Sequence, residues 1–299
     1  MTAAEAATVQ PVFGRVLTAM VTPMTADGSL DLAAAGKLAA HLVDDLGNDG
    51  LVINGTTGEA PTTSDDEKRL LLREVVAAVG DRASVVAGVG TNDTRHTIKL
   101  ANEAEVAGAD GLLVVTPYYS RPPVTALEDH FLSVAEAARI PIMLYDIPHR
   151  SGIPIPEASL IKLADHPRIV AVKDAKGDLV SSATVIAQTT LQYYAGDDAL
   201  LLPLLALGGV GVVGTSTHFT APQAHAIIDA FLAGDTQAAV AVSQAVLPVF
   251  RGVFATQGTM MVKAALAERG MPVGGCRPPM GVVPPEMLAS FMKKLDFLR

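Results

Sequence analysis

The sequence predicts a (β/α)8 TIM barrel followed by a small C-terminal helical domain. Eight short apolar runs alternate with amphipathic helical patterns at intervals of about 20 to 35 residues, the rhythm of an eightfold barrel. After about residue 235 the strand signal stops, and three helical patterns complete the chain. The expected division is a barrel over residues 1–235, carrying the active site, and a helical domain over 236–299. The apolar runs are continuous rather than alternating, as parallel strands buried on both faces require. An open doubly wound sheet fits less well, because no strand–turn–helix near the start carries a glycine fingerprint.

The strands are expected at Val16–Val21, Gly50–Asn54, Ser84–Val89, Gly111–Val115, Pro141–Tyr145, Ile169–Lys173, Gln192–Ala195 and Gly211–Val213. Each is followed by a cluster of Gly, Pro, Thr or Asp and then a helical segment. The clearest helix start is Ser64 with Glu67 three residues on, a capping box opening a helix through Val79. Leu70, Leu71, Leu72, Val75 and Val76 supply its apolar face. Comparable patterns cover Leu32–Leu46, Thr94–Ala107, Ala126–Ala138 and Pro222–Ala233, then Thr236–Phe254, Gly258–Arg269 and Pro285–Leu298. Gly209, Gly211 and Gly214 match a dinucleotide-binding fingerprint in spacing alone. They lie in and around a strand instead of opening a helix, which reads as a tight entry into strand eight.

Charge and composition exclude several functions. The net charge is −9 and no basic run occurs, so neither nucleic acid nor an anionic membrane surface is an expected partner. An anionic substrate stays possible, since one pocket arginine overrides a global field. Cys276 is the single cysteine, so an intrachain disulfide and a cysteine metal cluster are both out of reach. Met1 to Gly14 has neither a basic nor an apolar leader pattern. The apolar stretch Ala199 to Gly214 is broken by Pro203 and glycines and is shorter than the roughly 18 to 20 residues of a membrane span. A cytoplasmic protein is expected.

Barrels of this kind place their chemistry at the C-terminal ends of the strands. Those positions hold Gly55 to Glu59 after strand two, Thr116 to Tyr119 after strand four, Tyr145 to Arg150 after strand five, Lys173 and Asp174 after strand six, and Gly196 to Asp198 after strand seven. An amine, phenols, hydroxyls and a guanidinium with few histidines suit carbonyl chemistry through an imine better than metal-assisted hydrolysis. Lys173 ends the apolar run 169–172, so desolvation in the barrel mouth would free the amine needed to attack a ketone. A lysine paired with Asp174 or with a helix terminus for structure is the competing reading. Thr56 and Thr57 lie between Gly55 and Gly58, whose backbone freedom lets successive N–H groups converge on a carboxylate; an ordinary turn would look the same. Tyr145 suits a proton carrier, although buried tyrosines more often serve structure. Arg150 suits bidentate capture of a carboxylate, or simple solvation.

Together these motifs resemble the dihydrodipicolinate synthase / N-acetylneuraminate lyase family of pyruvate-dependent lyases. The similarity runs from about Gly14 to the C-terminus, with the motifs at residues 55–59, 116–119, 145–150, 172–174 and 196–198 in the family's order and spacing. The resemblance implies that Lys173 forms a Schiff base with pyruvate, and that Tyr145 moves protons through Thr56 and a Tyr119 supplied by the neighbouring subunit. It implies that Thr57 binds the pyruvate carboxylate and Arg150 the carboxylate of L-aspartate 4-semialdehyde. The backbone of Gly196 and Val213 would line the pocket. No metal or organic cofactor is implied, and the family's usual assembly is a homotetramer, a dimer of dimers.

Members share the imine step and differ in the acceptor. Arg150 and the Thr56–Thr57 pair favour the synthase branch of lysine and diaminopimelate biosynthesis over lyases or aldolases acting on sialic acid or 2-keto-3-deoxy sugar acids. A catalytically dead barrel serving as a binding protein is disfavoured, because Lys173 and Tyr145 are both present. His149 stands where the family often has glycine and Asp146 where it often has asparagine, which bears on the acceptor. Lysine-inhibited members carry histidines where this chain has Asp65 and Lys68, and a glutamate where it has His96, so feedback by lysine is expected to be weak.

Overall fold

The computed structural model describes residues 10–297. Eight parallel strands close on themselves in chain order: β1 Val16–Ala19, β2 Gly50–Ile53, β3 Ser84–Gly88, β4 Gly111–Val115, β5 Ile142–Asp146, β6 Ile169–Asp174, β7 Gln192–Ala195 and β8 Gly211–Gly214. The closing pair sets Leu17 of β1 beside Val213 of β8. The strand centres fall where the apolar runs predict. β1, β2 and β3 end short of the expected limits, and at β2 the reason is Asn54, whose φ of 61° turns the chain out of the ladder. β5, β6 and β8 each run one residue further, to Asp146, Asp174 and Gly214.

Two apolar layers follow from the two-residue period of a strand. Leu17, Ala19, Val52, Val86, Leu113, Met143, Ala171, Tyr194 and Val213 fill the barrel interior. Phe13 plugs its lower end, where a Cβ on Gly111 would sit 2.3 Å from the ring. The outward residues join the helices in a second, larger cluster that continues into the C-terminal helices through Val246, Phe250, Met261 and Phe291.

The surrounding helices are α1 Leu32–Ala40, α2 Asp65–Val79, α3 Thr94–Val106, α4 Val124–Ala137, α5 Glu157–Leu163, α6 Leu179–Gln188, α7 Leu201–Ala206 and α8 Thr217–Leu232. The capping box at Ser64 and Glu67 is formed as read. Two helices depart from expectation. The first passes into a π turn at His41–Asp45, because Asn48 takes the Leu42 carbonyl with its side chain and its backbone. The other, α8, starts at Thr217, five residues before Pro222, which is an interior residue and not the helix start. As the sixth residue of the helix, that proline leaves the His218 carbonyl without the backbone N–H it would otherwise receive.

Three further helices, α9 Thr236–Gly252, α10 Gly258–Glu268 and α11 Pro285–Asp296, follow the barrel. Leu298, the expected end of the last one, lies outside the described residues, as do residues 1–9 of the expected barrel. The glycines of the 209–214 stretch answer to packing. A Cβ on Gly211 would lie 1.9 Å from the Arg15 carbonyl, and one on Gly214 2.5 Å from Asp198. Among the described residues no helix is long and apolar enough to cross a membrane.

Candidate active site

Parallel register places the two central groups side by side. Tyr145 on β5 pairs with Lys173 on β6, and Asp146 with Asp174 one step on. Since neighbouring residues alternate between faces, Tyr145 and Lys173 share the inner face while the two carboxylates share the outer one. Lys173 Nζ lies 4.5 Å from the centroid of the Tyr145 ring. Among the described residues no hydrogen bond or ion pair engages the Lys173 amine. The structural reading that paired it with Asp174 does not hold: Asp174 accepts from the Ser182 hydroxyl and from the Lys176 N–H.

Burial pushes the Lys173 pKa down to about 8, the Asp198 charge pulls it back, and Arg150 pushes in the same direction as burial. Burial likewise lifts Tyr145 to about 12, against the opposing pull of Arg150 and of a hydrogen bond with Thr56. At neutral pH the phenol therefore holds its proton, and about a tenth of the lysine is free amine, far more than an ordinary lysine offers.

A cavity of about 340 Å³ opens on this pair. Thr56, Thr57, Tyr145, Arg150, Lys173 and Gly196 all line it, so the structure brings six of the eight expected residues together. Val213 is different. It is fully buried in the barrel interior and does not line the cavity, whereas Thr215, two residues on, does. Tyr119 stands apart as well: it is 91% exposed, with φ 73°. It lines an adjoining cavity of about 530 Å³ that also touches Thr56, Tyr145 and Arg150. A tyrosine held out to solvent in left-handed backbone is a strained arrangement.

The Thr56–Thr57 turn is built differently from the sequence reading. Gly55 and Gly58 are not in the left-handed region; Asn54 and Glu59, at φ 61° and 58°, take that conformation. Gly58 sits in a tight space, where a Cβ would meet the Met20 carbonyl at 3.2 Å and the Thr22 hydroxyl at 3.3 Å. Thr57 Oγ1 lies 3.3 Å from Thr215 Oγ1. Thr215 is in turn fixed by Asp198, which accepts its N–H, and by His218 Nδ1, 2.8 Å from its carbonyl.

The far wall comes from a segment that strand-end reasoning missed. Phe254, Thr256, Gln257 and Thr259, from the loop and first turn of α10, line the same cavity. Of the two unusual residues near Arg150, His149 lines the cavity, while Asp146 faces outward with Oδ2 3.6 Å from Lys176 Nζ.

The sequence profile described as the dihydrodipicolinate synthetase family matches residues 12–297. The chain belongs to that family. It is 59% identical over 286 residues to the 4-hydroxy-tetrahydrodipicolinate synthase of Cutibacterium acnes, covering 96% of this chain and 98% of that one. It is 62% identical over 268 residues to the enzyme of the same name from Acidothermus cellulolyticus, covering 90% and 87%. The crystal structure of DHDPS from Cyanidioschyzon merolae with lysine bound superposes with a TM-score of 0.94 at 38% identity, covering 96% of this chain and 99% of that one.

Proposed function

We propose that this family member condenses pyruvate with L-aspartate 4-semialdehyde to give 4-hydroxy-tetrahydrodipicolinate, through a Schiff base on Lys173. One observation carries the reading: a buried amine with a depressed pKa, engaged by no hydrogen bond or ion pair among the described residues, set against the Tyr145 phenol in a cavity that also holds Thr57 and Arg150. The names of close relatives, at 59% and 62% identity, support the same activity.

The chemistry follows from these groups. The neutral amine of Lys173 attacks the keto carbon, and loss of water gives an iminium. The iminium draws electrons from the adjacent C–H bonds, so a methyl proton leaves and an enamine forms. Thr57 and its turn bind the keto-acid carboxylate, and Tyr145, hydrogen-bonded to Thr56, carries protons to and from the reacting oxygen and carbon. The enamine carbon attacks the semialdehyde, whose carboxylate Arg150 holds at the rim. The amino group of the product then displaces Lys173 and closes the ring. The lysine supplies the electron sink, so the scheme calls for no metal or organic cofactor.

Around this centre the barrel, residues 1–235, carries the covalent step, and residues 236–299 form a small C-terminal helical domain that supplies the far wall. Gly196 lines the pocket beside the lysine, and Val213 supports it from below. The exposed, strained Tyr119 serves a neighbouring subunit's proton relay, and the assembly is a cytoplasmic homotetramer, a dimer of dimers. Sedimentation tests this assembly, and a fully active monomer would overturn the shared relay. The covalent step is tested by borohydride reduction with pyruvate followed by peptide mass analysis. The adduct is expected on Lys173 and absent in Lys173→Ala; an adduct on another residue overturns the reading.

A further inference from the structure

Glu59 and Lys263 form an ion pair that the chemistry above leaves unused. Each residue is 2% exposed, and Lys263 Nζ lies 2.5 Å from Glu59 Oε1. Glu59 directly follows the Thr56–Thr57 turn and is held in left-handed backbone. Its other oxygen accepts the Arg277 N–H at 2.8 Å, and Lys263 also donates to the Gly275 carbonyl at 2.7 Å. Four residues before Lys263, at the start of the same helix α10, Thr259 donates its hydroxyl to the Thr57 carbonyl at 3.2 Å. Thr22, after β1, donates to the next carbonyl, that of Gly58, at 2.6 Å.

The turn is thus gripped from two sides, and the grip from α10 includes a fully desolvated charge pair. Such a pair adds little net stability, because desolvation offsets most of the attraction. Left-handed backbone at a glutamate is unfavourable too. Both unfavourable features sit at Glu59, two residues beyond the Thr56–Thr57 pair that lines the cavity. What they supply together is position: a glutamate forced into this backbone aims its carboxylate inward, where one lysine meets it.

We propose that the Glu59–Lys263 pair is a positioning clamp that holds the Thr56–Thr57 turn ready for the keto-acid carboxylate before it binds. The clamp rests on the reading of that turn as the carboxylate site. Without it the turn must be ordered at the expense of pyruvate binding, while the lysine chemistry beyond the bound state is unchanged.

The test is the pyruvate concentration giving half-maximal borohydride trapping on Lys173, with no aldehyde present, measured beside the thermal midpoint. In Glu59→Gln and in Lys263→Met the half-saturating concentration is expected to rise about tenfold, with the trapped plateau at saturating pyruvate retained. Each single variant leaves an unpaired buried group, so the double variant Glu59→Gln/Lys263→Met, which removes both charges, guards against loss of folding. It is expected to recover the thermal midpoint and to keep the raised half-saturation. A double variant that recovers both, or single variants that melt early yet trap at wild-type pyruvate concentrations, would show a merely structural pair and overturn the clamp. Failure of the wild-type protein to trap pyruvate on Lys173 would instead overturn the carboxylate-site reading, and the clamp with it.

Discussion

Lys173 and Tyr145 are register partners on adjacent parallel strands, with the lysine nitrogen 4.5 Å from the centre of the tyrosine ring. The ring face favours an ammonium, but burial acts the other way and is the largest influence on the lysine. The ladder of β5 and β6 fixes the pair, so its geometry does not depend on how the loops above are arranged.

The first prediction concerns pH. The folded-state pKa of about 8 lies below the ordinary 10.5, so the neutral amine grows as pH rises toward about 8. The initial rate of pyruvate trapping should rise about tenfold per pH unit below that point and level off above it. Stability carries the same sign: below about 8 the folded chain holds a buried ammonium at full cost, relieved as pH climbs toward 10.5. Lys173→Met is therefore expected to stabilise the protein near pH 7 by about 1–2 kcal/mol in urea denaturation while abolishing trapping.

Tyr145 keeps its proton at neutral pH, since burial raises its pKa to about 12. Removing only the hydroxyl, in Tyr145→Phe, should lower kcat about 10²-fold. The extent of pyruvate trapping at long times should stay near the wild-type level, because an equilibrium does not depend on a proton carrier. Stopped turnover assays and timed trapping together check this.

Arg150 lines the cavity and its charge reaches both Lys173 and Tyr145. Arg150→Ala should raise KM for L-aspartate 4-semialdehyde about 10²-fold through loss of a bidentate, charge-assisted contact. The pH profile of trapping should also move to higher pH, since a neighbouring positive charge is gone. Unchanged affinity for the aldehyde in steady-state assays would remove Arg150 from the acceptor site.

Feedback by lysine should be weak. Asp65 is already engaged by His96 at 2.9 Å and Lys99 at 2.7 Å, and Lys68 adds its charge to the wall of the cavity beside Tyr119. A cationic amino acid entering there meets a cation and a committed carboxylate. Assays with lysine in the micromolar range should leave the rate unchanged.

The Glu67–Arg277 pair predicts acid behaviour. Hydrogen bonding to Arg277 leads in lowering the Glu67 pKa from 4.5 to about 2, so its contribution is complete above about 4.5 and is lost as pH falls toward 2. Glu67 also closes the capping box of α2. Glu67→Gln should cost about 1–2 kcal/mol at pH 7, and the gap from wild type should close between about pH 5 and pH 2 in urea titrations.

The parts legible from sequence are those whose neighbours in space are fixed by strand order. A continuous apolar run ending in a functional group gave Lys173, Tyr145 and the Thr56–Thr57 turn, because every strand end of such a barrel opens on one mouth. Contacts set by helix placement were not legible. Thr259 reaches Thr57 across 202 residues, and nothing in residues 254–259 marks them as a pocket wall. Composition points to the glycines for the special backbone of the turn, yet it falls on Asn54 and Glu59, where side-chain partners hold it. Pro222 has the mark of a helix start, a position prolines favour, while the helix begins five residues earlier.

Because β8 closes onto β1, the sheet has no free edge to offer another polypeptide. Two such molecules cannot join by extending a sheet across their boundary. A contact between copies would be made of side chains on helices and mouth loops, surfaces that sequence drift can retune without touching the inner staves.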